Sequence, residues 1–144
     1  MKSKLITYLK YEQQLMKELV ELAEKHRQAL IKFDVADIEK YSVYQEETAK
    51  SLNEVEQQRL TYFMSWLGIS RPEAMNLHLS QVEPFFKEEE AAEIRIIRKT
   101  MNELVAKLNS YNSVNRVLAN RARNSVRDIM AAFSGGASVC NVKV

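Results

Sequence analysis

The sequence predicts an all-α protein, with long antiparallel helices forming a coiled-coil-like helical bundle. Three observations predict it. Only 3 Gly and 2 Pro occur in 144 residues, so the chain has few places to turn; sheets need many turns and a bundle of long helices needs few. Ala, Leu, Glu, Lys, Gln, Arg and Met, the residues that favour helices, dominate the composition. Apolar residues recur at alternating spacings of three and four over most of the chain, as in helices packed lengthwise on one another. The length suits one domain with its own core.

The first helix is expected from about Ser3 to Phe33. Leu5, Leu9, Glu12, Met16, Leu19, Ala23, His26, Leu30 and Phe33 are spaced four and three in alternation. A second row, Tyr8, Leu15 and Leu22, widens the stripe beyond what a two-stranded coil uses. A turn follows. Asp34 is placed to cap the next helix, Asp37 to complement its dipole, and Phe33 with Ile38 to form a hydrophobic staple.

The second helix is expected from about 35 to 67, with the stripe Ile38, Tyr41, Thr48, Leu52, Val55, Tyr62, Phe63, Trp66 and Leu67. Gly68 stops it. Ser70-Arg71-Pro72-Glu73 reads as a capping box with Pro in the first turn, opening a short helix from 71 to about 80. Pro84 is the expected first residue of the last helix, which meets no strong breaker until Phe133. Its seam is Ile94, Ile97, Met101, Leu104, Leu108, Tyr111, Asn115, Leu118, Ala122, Ser125 and Ile129. At about 70 Å it would outrun the first two helices, each about 45 Å long. The helical domain thus covers 1–133, and Ser134-Gly135-Gly136 opens an expected flexible tail, 134–144.

The last helix changes character along its length. Five Asn and three Ser lie between Asn109 and Ser125. Their combined helix penalty relative to Ala is on the order of 4 kcal/mol. The seam weakens there too, at Asn115, Ala122 and Ser125. Such a segment is marginally ordered alone and gains order when a partner covers Leu108, Tyr111, Val114, Leu118 and Val126.

The net charge is +2, but from Leu104 onward six basic residues face one acid, Asp128. That tilt either draws an acidic partner surface or is a solvated face. The N-terminus shows no signal-peptide core and no stretch approaches a membrane span, so a cytoplasmic protein is expected. Cys140 is the only cysteine.

No constellation points to catalysis. His26 and His78 have Ala23 and Met75 three residues before them, where a di-iron bundle needs Glu. His26 falls on the packed stripe, against a phosphotransfer role, and His78 reads as a surface residue. The three glycines form no phosphate loop. Cys140 has no zinc-type companions, and Glu88-Glu89-Glu90 suits a helix N-terminus. Arg116, Arg121, Arg123 and Arg127 come with no aromatic ladder or base-reading helix, against nucleic acid. The expectation is a protein-binding module without enzymatic activity, metal or cofactor. The alternative is a structural coiled-coil or adaptor module that self-assembles through the same stripes.

Three stretches resemble the FlgN-type flagellar export chaperones. One is Leu30, Asp34, Ile38 and Tyr41 around the first turn. The second is Leu52-Asn53-Glu54-Val55-Glu56-Gln57-Gln58-Arg59, similar to the family's Leu-x-x-Leu-Glu-x-x-Arg. The third is Asn112-Ser113-Val114-Asn115-Arg116-Val117-Leu118, similar to its Asn-x-x-Asn-x-x-Leu. Together they cover roughly Leu5 to Ile129. The resemblance implies a cytosolic chaperone that holds the helical terminal segments of the hook–filament junction proteins FlgK and FlgL until export. It also implies that the C-terminal part binds the client, here about 104–133. Leu104, Leu108, Tyr111, Asn112, Val114, Asn115, Leu118, Val126 and Ile129 are the expected partner-binding residues. Docking on the export-gate protein FlhA, which some members assist with a tail Tyr, has no Tyr after Tyr111 to use, and Phe133 is the available substitute.

Overall fold

The computed structural model describes residues 2–133. The expected tail, 134–144 with Cys140, lies outside them. The described chain is helical throughout, with α1 at Lys2–Lys32, α2 at Val35–Leu67, α3 at Arg71–Met75, α4 at Leu79–Val82, a 3-10 turn at Glu83–Phe85 and α5 at Glu88–Phe133. Among the described residues there is no strand, and no helix is long and apolar enough to cross a membrane.

Consecutive long helices run antiparallel, so α5 lies parallel to α1. Both α2 and α5 pack along α1, and their backbones stay apart from each other. α1 is therefore the spine, and half of the buried residues belong to it. Most of the first row predicted for α1 is buried, at Leu5, Leu9, Glu12, Met16, Leu19, Ala23 and Leu30; of the second row only Leu15 is, and Ile6, Val20 and Ala29, in neither row, are buried as well.

The main core sits at one end of the bundle. Leu5, Ile6 and Leu9 of α1 meet Leu60, Tyr62 and Phe63 of α2 and Ala91, Ile94 and Ile97 of α5. Ala74, Val82 and Phe86 from the connector close this end. Trp66 lies between Tyr62, Phe85 and Phe86, with ring centroids 5.7–5.8 Å apart. Leu5, Phe63, Ile94 and Val82 are completely buried, and each such side chain stabilises the fold by about 2 kcal/mol.

The connector differs from expectation. The helix opened by Ser70 ends at Met75, and α5 begins at Glu88 rather than at Pro84. The reason is geometric. Leu77 and Leu79 both pack on the core, yet two residues along one helix lie about 200° apart around its axis. A break between them lets both turn inward. The backbone N–H of His78 donates to the Gln81 side chain at 2.8 Å, starting α4. Pro84 falls in the 3-10 turn, where its missing N–H is harmless. Glu83 pairs with Arg95 and Arg98, at 3.6 and 3.4 Å, tying this turn to α5. The capping box at Ser70 and Glu73 forms as predicted.

At the opposite end, Asp34 accepts from the Asp37 backbone N–H at 3.1 Å, as predicted. Phe33 has φ 55, and the N–H of Asp34 donates to the Ala29 carbonyl at 3.0 Å. This left-handed residue ends α1 in the position usually taken by glycine. The staple expected of Phe33 is a lesser part of its role, since it is about half exposed.

Glu12 occupies a seam position predicted from spacing, and it is 5 % exposed. The Arg59 Nε donates to both of its carboxylate oxygens, at 3.1 and 2.9 Å. Burial holds the Glu12 pKa above the ordinary carboxylate range, against the lowering effect of Arg59. Arg59→Ala should therefore cost about 3 kcal/mol, because it strands a buried charge. A folded-state pKa above the unfolded one means that the folded state takes up a proton as pH falls through it. The deficit of the variant should accordingly shrink toward acidic pH, and urea unfolding at acidic and neutral pH checks this.

Candidate functional site

Among the described residues no group of three His, Cys, Asp or Glu lies close enough to hold a metal ion. His26 is half-buried. Burial lowers its pKa, and a hydrogen bond with Gln45 of α2 acts in the opposite direction. His78 is exposed on the connector.

The distinctive feature is the way α5 loses its cover. Ala91, Ile94 and Ile97 are buried, and Met101 packs at the edge of the core. Beyond them Asn115 is the only buried residue of α5. Leu104, Leu108, Tyr111, Leu118 and Val126 are half-buried, while Asn112, Val114 and Ile129 are exposed. The expected partner-binding residues thus fall into two sets. Leu104, Leu108, Tyr111, Asn115 and Leu118 follow the seam that faces α1, whereas Asn112 and Val114 lie off it.

Two polar contacts hold the weak part of the seam against α1. The Asn115 Nδ2 donates to the Ala23 carbonyl at 3.0 Å, and its Oδ1 is buried without a hydrogen-bond partner. In the free chain Asn115 is thus an internal contact between α5 and α1. The physical cause is its place on the α1-facing seam, where a short amide reaches a helix carbonyl across the interface. Tyr111 is also engaged. Its ring lies under Arg27 at 5.4 Å and Lys107 at 6.0 Å. The Glu24 carboxylate beside its hydroxyl raises the Tyr111 pKa. Tyr111, followed by the Arg27 partner at 2.6 Å, in turn holds Glu24 below the usual carboxylate range.

Glu24 and Arg27 were not legible as part of the site. A Glu and an Arg three residues apart on a helix ordinarily mark a solvated surface pair. The cross-helix neighbour Tyr111 gives them another role, and only the register of α5 on α1 reveals it.

That register also sets the overhang. Ala23 faces Asn115. From there α1 continues nine residues to Lys32, and α5 continues 18 to Phe133. The nine extra residues leave about 13 Å of α5 beyond the end of α1. No residue from 116 to 133 is buried. Val117 is 50 %, Ile129 55 % and Phe133 89 % exposed.

The model of the family described as FlgN protein matches residues 1–142, nearly the whole chain. No curated protein and no solved structure matches the chain.

Two outcomes follow from the seam. Asn115→Leu should raise stability by about 1 kcal/mol, because it replaces a half-satisfied buried amide with an apolar side chain of similar size. Its melting temperature, and slower hydrogen exchange over 104–122, check this. The Tyr111–Glu24 contact should weaken at both pH extremes. A depressed carboxylate pKa contributes stability that is lost as pH falls through it; a raised phenol pKa contributes stability that is lost as pH rises through it. Exchange around Tyr111 should therefore quicken in acid and in alkali relative to the base of the bundle.

Proposed function

Because the chain belongs to the FlgN family of flagellar export chaperones, we propose that it is a cytoplasmic chaperone for the junction proteins FlgK and FlgL, holding their helical terminal segments on the distal half of α5. One observation carries this reading: α5 runs about 13 Å past the end of α1, and no residue from 116 to 133 is buried. Apolar rows left open in this way are used for interaction.

The mechanism is helix-in-groove capture. A client helix covers Val126 and Ile129 directly. It reaches Leu104, Leu108, Tyr111 and Leu118 as it competes for the partly covered seam, where polar contacts hold α5 to α1. Capture hides the client's own assembly surface and orders a stretch of α5 that is rich in Asn and Ser. No nucleotide is required, since the affinity comes from apolar burial, and release follows from competition at the export gate. Phe133, at the exposed end of α5, is the aromatic side chain available for docking on FlhA.

The test is titration of FlgK and FlgL into the full chain. Tyr111→Ala with Leu118→Ala should weaken binding by at least about tenfold, or about 1.4 kcal/mol. Unfolding of the core around Leu5, Phe63 and Ile94 should be unchanged. Exchange from Arg116 to Phe133 should be fast in the free chain and slow in the complex. Slow exchange in the free chain, or a self-associated chain with this segment already covered, would instead make the seam a structural interface.

A further inference from the structure

We infer that the bundle carries a second, smaller binding site, a pocket between α2 and α5 near the connector that takes a carboxylate group on a small apolar body. α2 and α5 both pack along α1 while their backbones stay apart. Beside the connector this separation leaves a cavity of about 350 Å3. Its walls come from α1, α2, the connector and α5, and none of its lining residues belongs to the partner-binding set on α5. The volume is at the small end of the roughly 300–1,000 Å3 range of ligand sites. It admits one small molecule or one terminal residue of a chain, and it is too small for a helix.

The charged part of the lining is Glu12, Arg59 and Arg98. Glu12 is the one acid, and both of its oxygens already accept from the Arg59 Nε. That bond uses one edge of the guanidinium. Nη1 and Nη2 have no hydrogen-bond partner among the described residues, and neither is sealed from solvent. The Arg59 side chain is also held from its face, with its guanidinium carbon 5.7 Å from the centroid of the buried Phe63 ring. A donor edge is thus fixed in place before a ligand arrives, so little side-chain freedom is lost on binding. From α5, Arg98 brings a second cation. It meets the Glu83 Oε1 at 3.4 Å without a hydrogen bond, and that oxygen has no other hydrogen-bond partner.

The ligand class follows from these groups. The end of a guanidinium presents two parallel N–H donors, which the two oxygens of one carboxylate accept together. Leu9, Leu77, Leu79 and Met101 supply an apolar wall beside it, which matches a hydrocarbon body. A phosphate would set a second charge near Glu12 and leave that wall without cover. A cation would face two arginines. A bound carboxylate joins Arg59 of α2 to Arg98 of α5, two helices whose backbones do not meet.

The experiment uses the full chain and titrates isocaproate against its neutral isostere isocaproamide, by calorimetry and by melting temperature. A parallel arm titrates a short peptide ending in leucine, with its C-terminus free or amidated. The carboxylate form should bind at least about tenfold tighter than the amide in the arm that matches the source of the ligand, and should raise the melting temperature. Binding of isocaproate assigns the pocket to free small acids; binding of the free-ended peptide alone assigns it to a chain terminus. Arg59→Lys keeps a cation against Glu12 and removes the paired donors, so it should weaken binding at least about tenfold while the chain stays folded. Arg98→Gln, at a half-exposed side chain, should weaken binding several-fold without touching the Glu12 contact. Equal affinity for acid and amide, or binding unchanged in both variants, would overturn the inference. So would the lack of saturable binding in either arm at about 10 mM, a weak limit even for a ligand of so few atoms.

Discussion

The structure depends on the packing of α1 between α2 and α5. Neither flanking helix has another long helix to lean on, because their backbones approach α1 and not each other. Each layer of the bundle is thus only as firm as the α1 side chains it meets. At the base α1 offers Leu5, Ile6 and Leu9, and these join α2, α5 and the connector in one apolar cluster. Toward the other end α1 still presents Leu19, Ala23 and Leu30, but the facing residues of α5 shrink to Asn115, Leu118 and Ala122. Cohesion is concentrated at one end and thins toward the other.

Two polar residues on apolar seams show how differently such a position can be used. Glu12 lies near the strong end, is almost fully buried, and is held by Arg59 from α2. It links two helices at a cost in desolvation that its raised pKa records. Asn115 lies near the weak end, with one bond to the Ala23 carbonyl and one acceptor left without a partner. It fixes the register of α5 without adding much cohesion. One residue locks a pair of helices, and the other lets a helix be both placed and loosened.

Under the proposed chaperone role, this gradient suits a capture surface. A client helix competes with whatever already covers the seam, so a fully apolar interface along all of α5 would leave it nothing to gain. Weak internal cover keeps the cost of opening small, while the firm base keeps the protein folded during exchange of partners. The exposed apolar residues of the last turns of α5, Ile129 and Phe133, extend the same gradient past the end of α1.

The alternation of three and four determined the helices and most of their faces, because residues of α1 such as Leu5, Leu9 and Leu19 repeat at the helical period whatever they pack against. Asp34, Gly68 and Ser70 fixed helix ends for an equally local reason: each satisfies or terminates backbone hydrogen bonding within a few residues. The Asn and Ser content marked the distal part of α5 as the weak part of the chain. What periodicity left undetermined was register and depth. It put Glu12 and Asn115 on seams without showing that Arg59 reaches the first and that the second bonds to Ala23 across helices. It ran a single helix through Leu77 and Leu79, where the need to bury both broke the backbone. Those contacts join residues far apart in the chain, and they exist only once α2 and α5 have each settled at one height along α1.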